Sequence, residues 1–173
     1  MKAGRELLFG ILPIGDQSSK MENEDIKKSW EKLLNPLELK QSLIHCAVFI
    51  TAWELLKEVI VDRIRWFYTE GFDGDNIKRP EYHDEVIELD PRPKKDPVYA
   101  SCLWLSQNGA IDQQDIDKIE NIRKHRNAIT HEMQDILGNV ERDVDIELLD
   151  DLINIFNRIE RWWLLEVEIP TNP

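Results

Sequence analysis

Apolar positions along this chain recur at three- and four-residue intervals, and Pro, Gly and Asn separate the runs. That period is the mark of helices. Residues 1–20 break it, with Gly10, Pro13 and Gly15 as interruptions, and read as irregular. A first helix is predicted over 23–34, ended by Asn35-Pro36. A long second helix follows over 36–70 and stops at Gly71. In its first half Leu43, Ile44, Ala47, Val48, Thr51, Leu55, Val59 and Val61 leave little polar surface, the pattern of a central helix buried nearly all round. Trp53, Trp66, Phe67 and Tyr68 read as further core groups.

The period fails over 72–97, where Gly74, Pro80, Pro91, Pro93 and Pro97 interrupt a segment rich in Asp and Glu. It reads as a solvated insert with one short helix at 82–89; connections this long are often functional or mobile. Periodicity returns over 98–107, with Asn108-Gly109 as a C-terminal stop. It continues over 112–137, with Asp112 and Asp115 favouring the N-terminus and Gly138 ending it. The last helix is predicted over 145–167, with Leu148, Leu149, Leu152, Ile153, Ile155, Phe156 and Ile159 as its core face and Trp162-Trp163 near its close. No run carries a strand pattern and no segment repeats another. The expectation is an all-α antiparallel helical bundle of about five helices. It forms one domain over 1–173, with an irregular N-terminal segment at 1–21 and a Pro/Asp/Glu-rich insert at 72–97.

Charge narrows the function. The 173 residues are 42% hydrophobic, enough for one core, and carry a formal net charge of −12. Such a surface repels polyanions, so any nucleic-acid contact must come from a local positive site. The apolar run 7–14 is short and broken by Gly10 and Pro13, which argues against a signal peptide, and no stretch reaches the length of a membrane span. Cys46 and Cys102 sit in apolar helical contexts and read as buried free thiols of a reducing, cytoplasmic compartment. No His or Cys pair has metal-ligand spacing and there is no Gly-rich phosphate loop, so neither metal nor cofactor is expected.

One basic cluster stands inside this acidic chain: Arg123-Lys124-His125-Arg126-Asn127-Ala128-Ile129-Thr130-His131. Stepping about 100° per residue from Ile119 gathers Ile122, Ile129, Met133, Ile136 and Leu137 into one arc, and Arg126 points into its middle. Asn127 and His131 point well away and, four apart, are neighbours; Arg123 and Thr130 lie nearer the arc's edge. Burying Arg126 alone would cost several kcal/mol, so it either pairs with a carboxylate or projects into a cleft between helices or subunits. Of the other histidines, His125 reads as a solvated surface group, His45 as a satisfied core group, and His83 falls in the insert.

Arg126-Asn127 followed after three residues by His131 resembles the hallmark of the HEPN superfamily: Arg, four to six residues, then His, often with a polar residue after the Arg. Fixing the spacing and requiring the Asn lowers the chance expectation to roughly 0.01–0.02, which makes the match informative. The long apolar helix ending AWELLKEVIVDRI is similar to early helices of several HEPN groups, and the general resemblance spans about residues 22–168. It implies a homodimeric, metal-independent endoribonuclease of toxin–antitoxin, phage-defence or RNA-processing systems. By resemblance Arg126 and His131 are the catalytic pair and Asn127 orients them. Some toxin members carry a Tyr two residues after the His, where a partner nucleotidyltransferase modifies it; here Met133 stands there. Other members have lost catalysis and act as interaction modules.

The chemistry implied is cleavage by the RNA's own 2′-OH. His131 suits proton transfer because an imidazole titrates near neutrality. Arg126 can grip phosphate oxygens as charge builds, and Asn127 can hydrogen-bond the phosphate or the imidazole. Arg123, Lys124 and Thr130 are the candidate substrate contacts. The expected partners are RNA, a second copy of the chain, and an antitoxin or regulatory protein, with no membrane. Two other readings stay open: a non-catalytic HEPN-like module that binds protein or RNA, and an unrelated helical domain with a buried Arg ion pair.

Overall fold

Asn35 separates the first two helices. Helix α1 (Gly15–Leu34) ends at it and α2 (Pro36–Lys57) starts after it. The Asn35 side chain accepts from the Leu37 N–H at 3.1 Å, and Pro36 occupies the first turn, where no N–H is needed. The structure, a computed structural model, describes residues 15–73, 76–139 and 142–171. They are predominantly helical, as expected. Residues 15–21, predicted irregular, belong to α1; the rest of that prediction, 1–14, lies outside the described residues.

The long second helix is a rod in three parts. α2 runs into a π-helical turn (Glu58–Asp62) and then α3 (Arg63–Phe67). Cys46, Phe49, Trp53, Leu56, Ile60 and Ile64 form its buried side, against α6 (Gln113–His131) and α8 (Ile146–Trp162). The expectation of burial nearly all round is corrected. Leu37, Leu43, Ile44, Val48 and Leu55 are exposed along α2, and so are Trp66 and Phe67. The helices packed on α2 cover one side of it only, so its second apolar stripe meets no described residue that would bury it.

The insert is more ordered than its composition suggests. Strands β1 (Gly71–Asp73) and β2 (Asn76–Lys78) pair antiparallel, with Phe72 opposite Ile77. Three-residue strands are too short for a period of two to register in sequence, which is why no strand is predicted. Helix α4 (Pro80–Glu85) and a 3-10 turn (Ile87–Leu89) follow, where one helix at 82–89 is predicted. Asp90, wholly buried, then closes the segment: it accepts from the Arg92 guanidinium at 2.8 Å and from the Asp96 N–H at 2.8 Å.

Helix α5 (Pro97–Gln107) starts at Asp96, whose side chain accepts from the Val98 N–H at 3.0 Å, and stops at Gly109, which takes the left-handed φ of 77° that favours glycine. Asp112 and Asp115 cap α6 reciprocally. The predicted helix 112–137 breaks at Glu132, whose φ of −121° and ψ of 26° are not helical, and resumes as α7 (Met133–Gly138). Lys32 of α1 donates to the carbonyls of Ile136, Asn139 and Arg142 at 3.2, 2.9 and 2.9 Å, holding the end of α7. α8 continues as a π-helical turn (Trp163–Glu168) and α9 (Ile169–Thr171). α2, α6 and α8 pack on one another, and Ile119, Ile122 and Ile129 of α6 meet Leu152, Ile155 and Ile159 of α8 in the core they share. Both cysteines are buried and free, and burial raises the Cys102 thiol far above its ordinary pKa.

Candidate functional site

Helix α6 carries the basic cluster, and three bonds fix how it is presented. At its N-terminus buried Asp115 pairs with Arg158 of α8. Lys118 and Asp151 bridge the same two helices at 2.6 Å. Farther along, His125 Nε2 accepts from the N–H of Asp145, the cap of α8, at 3.0 Å. The His125 ring also meets Phe49 of α2 edge-on, with centroids 4.9 Å apart. So the solvated reading of His125 is corrected: it is a partly buried packing group that joins α6 to α2 and α8. Burial is the main cause of its lowered pKa, helped by Arg142 and opposed by Asp145. His45 is only partly buried, less enclosed than the core group the sequence suggests.

These contacts turn the opposite flank of α6 outward. Asn127, Thr130 and His131 are all exposed on it. Arg126 lies at its edge, with its side chain 27% exposed. Its Nη2 donates to Glu54 Oε1 of α2 at 2.7 Å, and its Nη1 to Asn127 Oδ1 at 3.4 Å. Its backbone carbonyl accepts from Thr130 Oγ1 at 2.9 Å. The Arg126 Nε, in contrast, is buried and has no acceptor among the described residues. Of the two environments the sequence allows for Arg126, the structure combines parts of each: a carboxylate partner, but at the protein's edge rather than sealed in its core.

Glu54 is the functional neighbour that sequence reasoning missed. Burial pushes its pKa up, but Arg126 and Lys57 outweigh that and hold it below the usual carboxylate range. Part of the signal was available: an Arg at 126 in an otherwise apolar stripe needs an acid, and Glu54 is one of several acids in the long second helix that faces it. Only the packing of α2 on α6 reveals that the two face each other.

The remaining predicted groups divide. Lys124 is exposed and makes no ion pair among the described residues. Arg123 is turned toward the insert, where it meets the Asp96 carboxylate, and it lies 3.7 Å from Glu120, one turn earlier on α6. That pairing holds Asp96 below its usual pKa against the opposing effect of burial. Arg123 therefore ties α6 to the insert before it can serve any ligand. His131 is the last residue of α6, exposed, with no hydrogen bond or ion pair among the described residues. No described contact joins Arg126 to His131 within one chain. Chemically, the flank offers an unengaged imidazole, an amide, a hydroxyl and a guanidinium with two of its five N–H groups engaged. Compared with protein families, with characterised proteins and with solved structures, the chain finds no match.

Proposed function

We propose that this chain is a HEPN-like endoribonuclease domain, an antiparallel helical bundle that cleaves RNA by attack of the 2′-OH on the adjacent phosphorus. The observation that carries the reading is the shared exposed flank of α6: His131 without a protein partner, one turn beyond Asn127 and next to Thr130, with Arg126 at the edge. In the reaction the 2′-oxygen bonds to phosphorus, the bond from phosphorus to the 5′ oxygen breaks, and a proton moves from the first oxygen to the second. His131 is the proton-transfer group. Arg126 neutralises the charge that builds on the phosphoryl oxygens. Asn127 fixes the phosphate or the ring, Lys124 and Thr130 contact the RNA backbone, and Arg123 joins them once RNA draws it away from Asp96. By the resemblance no metal takes part, and an antitoxin or regulatory protein is the expected partner beside RNA.

A second copy of the chain completes the site in this reading. The support is the uncovered apolar stripe of α2, where Leu37, Ile44, Val48, Thr51 and Leu55 recur at alternating three- and four-residue steps, the seam spacing of paired helices, apart from polar Gln41. Lys40 and Glu54 flank Ala47 at equal distance along the helix. Pairing α2 antiparallel about a two-fold axis at Ala47 sets each Lys40 opposite the other copy's Glu54. Glu54 then gains a second cation, and Arg126 is released toward phosphate. The alternative, a non-catalytic interaction module, is favoured by one feature: Arg126 already has an acid partner.

The test is purified protein incubated with total RNA in EDTA, beside His131→Ala. Products ending in 2′,3′-cyclic phosphate, and a rate lower by about 10²–10⁴ in the variant, are expected. Equal rates in the two samples would sink the nuclease reading and leave the interaction module.

A further inference from the structure

The opposite end of α5 from its Asp96 cap opens on a cleft that the nuclease reading leaves unused. Its volume is about 610 Å³, within the range of small-molecule sites, roughly 300–1,000 Å³. Four aromatic rings wall it: Phe67, Tyr68, Trp104 and Trp162. Trp104 and Trp162 stand nearly perpendicular with centroids 6.0 Å apart, so the walls form a corner rather than a flat stack. Trp104 Nε1 donates to Tyr68 Oη at 3.0 Å, which fixes two of the walls before any ligand arrives.

The charge around these rings has one sign. Asp84, Glu85 and Glu166 line the cleft, and no Lys, Arg or His does. Glu85 and Glu166 have no cationic partner among the described residues, while Asp84 has one, His83, at 3.4 Å. Gln107 and Asn108 place the C-terminal end of α5 at the cleft, adding the negative end of a helix dipole. Elsewhere in the molecule aromatic faces are already taken by arginines: Arg63 over Trp163, Arg65 over Tyr82, Arg79 over Trp66 and Arg92 over Tyr99. None of the four rings in the cleft carries one; Phe67, 52% exposed, is the most open of them, and Trp104, which stacks on Trp163, the least. Glu166 and Trp162 also belong to, or border, the π-helical turn that extends α8, and such turns are frequent at functional sites.

Aromatic faces, uncompensated carboxylates and a helix C-terminus all attract a cation. A bare metal ion does not fit, because no cluster of His, Cys, Asp or Glu among the described residues is placed to hold one. A bulky, weakly hydrated organic cation uses the ring faces directly and the carboxylates at longer range. We propose that the cleft between Phe67, Tyr68, Trp104 and Trp162 binds a free organic ammonium ion of the quaternary class. This site stands whether or not the chain cleaves RNA.

The probe is choline, titrated into the full chain at neutral pH and followed by tryptophan fluorescence and by calorimetry. Its uncharged isostere, 3,3-dimethylbutanol, is run in parallel, and sedimentation with phosphatidylcholine vesicles separates a free ion from a lipid headgroup. Saturable choline binding is expected, with the isostere about tenfold weaker and no sedimentation. Glu85→Gln/Glu166→Gln is a double change of two exposed groups that leaves the rings intact. It is expected to weaken choline by about fivefold with unchanged thermal unfolding, and Phe67→Leu by a similar factor. Equal binding of choline and the isostere would overturn the proposal in favour of an apolar slot. Absence of saturable choline binding, or sedimentation with vesicles without a response to free choline, would overturn it too.

Discussion

Arg92 and Arg126 each face an acid, and they show two different uses of the same pair. Arg92 grips Asp90 through two nitrogens, at 2.8 Å from Nε to Oδ1 and 2.8 Å from Nη2 to Oδ2. Asp90 is 0% exposed and also accepts the N–H groups of Arg92 and Asp96, at 3.0 and 2.8 Å. The guanidinium lies 4.1 Å from the Tyr99 ring centroid. The Arg92 hydrogen bond, backed by those two N–H groups, holds the Asp90 carboxyl far below the usual carboxylate range against the cost of burial. Arg126 reaches Glu54 through one nitrogen, and Glu54 is 46% exposed. The Asp90 carboxylate is sealed and multiply bonded, so the pair belongs to the fold: losing Arg92, itself 41% exposed, strands a buried charge. A half-open, singly bonded pair is worth about 0–1 kcal/mol, so its partner can be exchanged. Arg126 is therefore the arginine with freedom to act.

Replacing one member of each pair separates these roles most widely. Arg126→Ala is expected to lower RNA cleavage by about 10²–10³-fold while moving stability by less than about 1 kcal/mol. Asp90→Asn is expected to cost about 2–3 kcal/mol in chemical denaturation, with cleavage per folded molecule unchanged. A large stability loss in Arg126→Ala, or a cleavage defect in Asp90→Asn, would break the comparison. Acid sharpens it. The folded-state pKa of Asp90 is depressed, so its contribution is present above the ordinary carboxylate value of 3.8 and is lost as pH falls below it. Asp90→Asn removes that part of the acid transition.

Weaker effects follow at the exposed pair and the stripe beside it. Val48→Asp places a charge on the uncovered face of α2 and is expected to convert a dimer to a monomer in sedimentation, with no loss of helix in circular dichroism. Wild type sedimenting as a monomer at working concentration would remove the two-fold site. Glu54→Gln keeps the shape and removes the acid that competes for Arg126. It is expected to change stability by under about 1 kcal/mol and to tighten RNA binding by about two- to fivefold.

How much of this is legible in the sequence depends on the range of the contacts. Helix positions are local, so Asn35-Pro36, Asn108-Gly109 and the Asp112/Asp115 box mark boundaries that the structure keeps. The break at Glu132 is not marked by Gly or Pro, and the expected helix ran through it. Whether an apolar face is covered depends on neighbours, and so Leu43, Ile44, Val48 and Leu55 read as core although they are exposed. The cluster on α6 was legible as chemistry because residue types and spacing are local. Its partners were not. Glu54 lies 72 positions from Arg126, Asp96 lies 27 from Arg123, and Asp145 lies 20 from His125. Those three contacts decide which basic groups stay available.

His125 gives the smallest effect and the cleanest sign. Its Nε2 accepts the Asp145 N–H, so the ring must be neutral with its proton on Nδ1. Protonation would turn that acceptor into a donor facing another donor at the start of α8. Burial and Arg142 lower its folded-state pKa from the ordinary 6.5, against the opposing pull of Asp145. Below 6.5 the unfolded chain therefore binds the proton first. His125 stabilises the fold fully above pH 6.5 and loses that contribution as pH falls through its depressed folded value. His131, exposed and unbonded, lacks this link to α8. Denaturation midpoints for wild type and His125→Gln across pH 5–8 are expected to converge toward acid and separate by up to about 1 kcal/mol at pH 8. Parallel curves would mean that the imidazole does not hold α6 to α8, and the outward turn of the Arg126 flank would then need another cause.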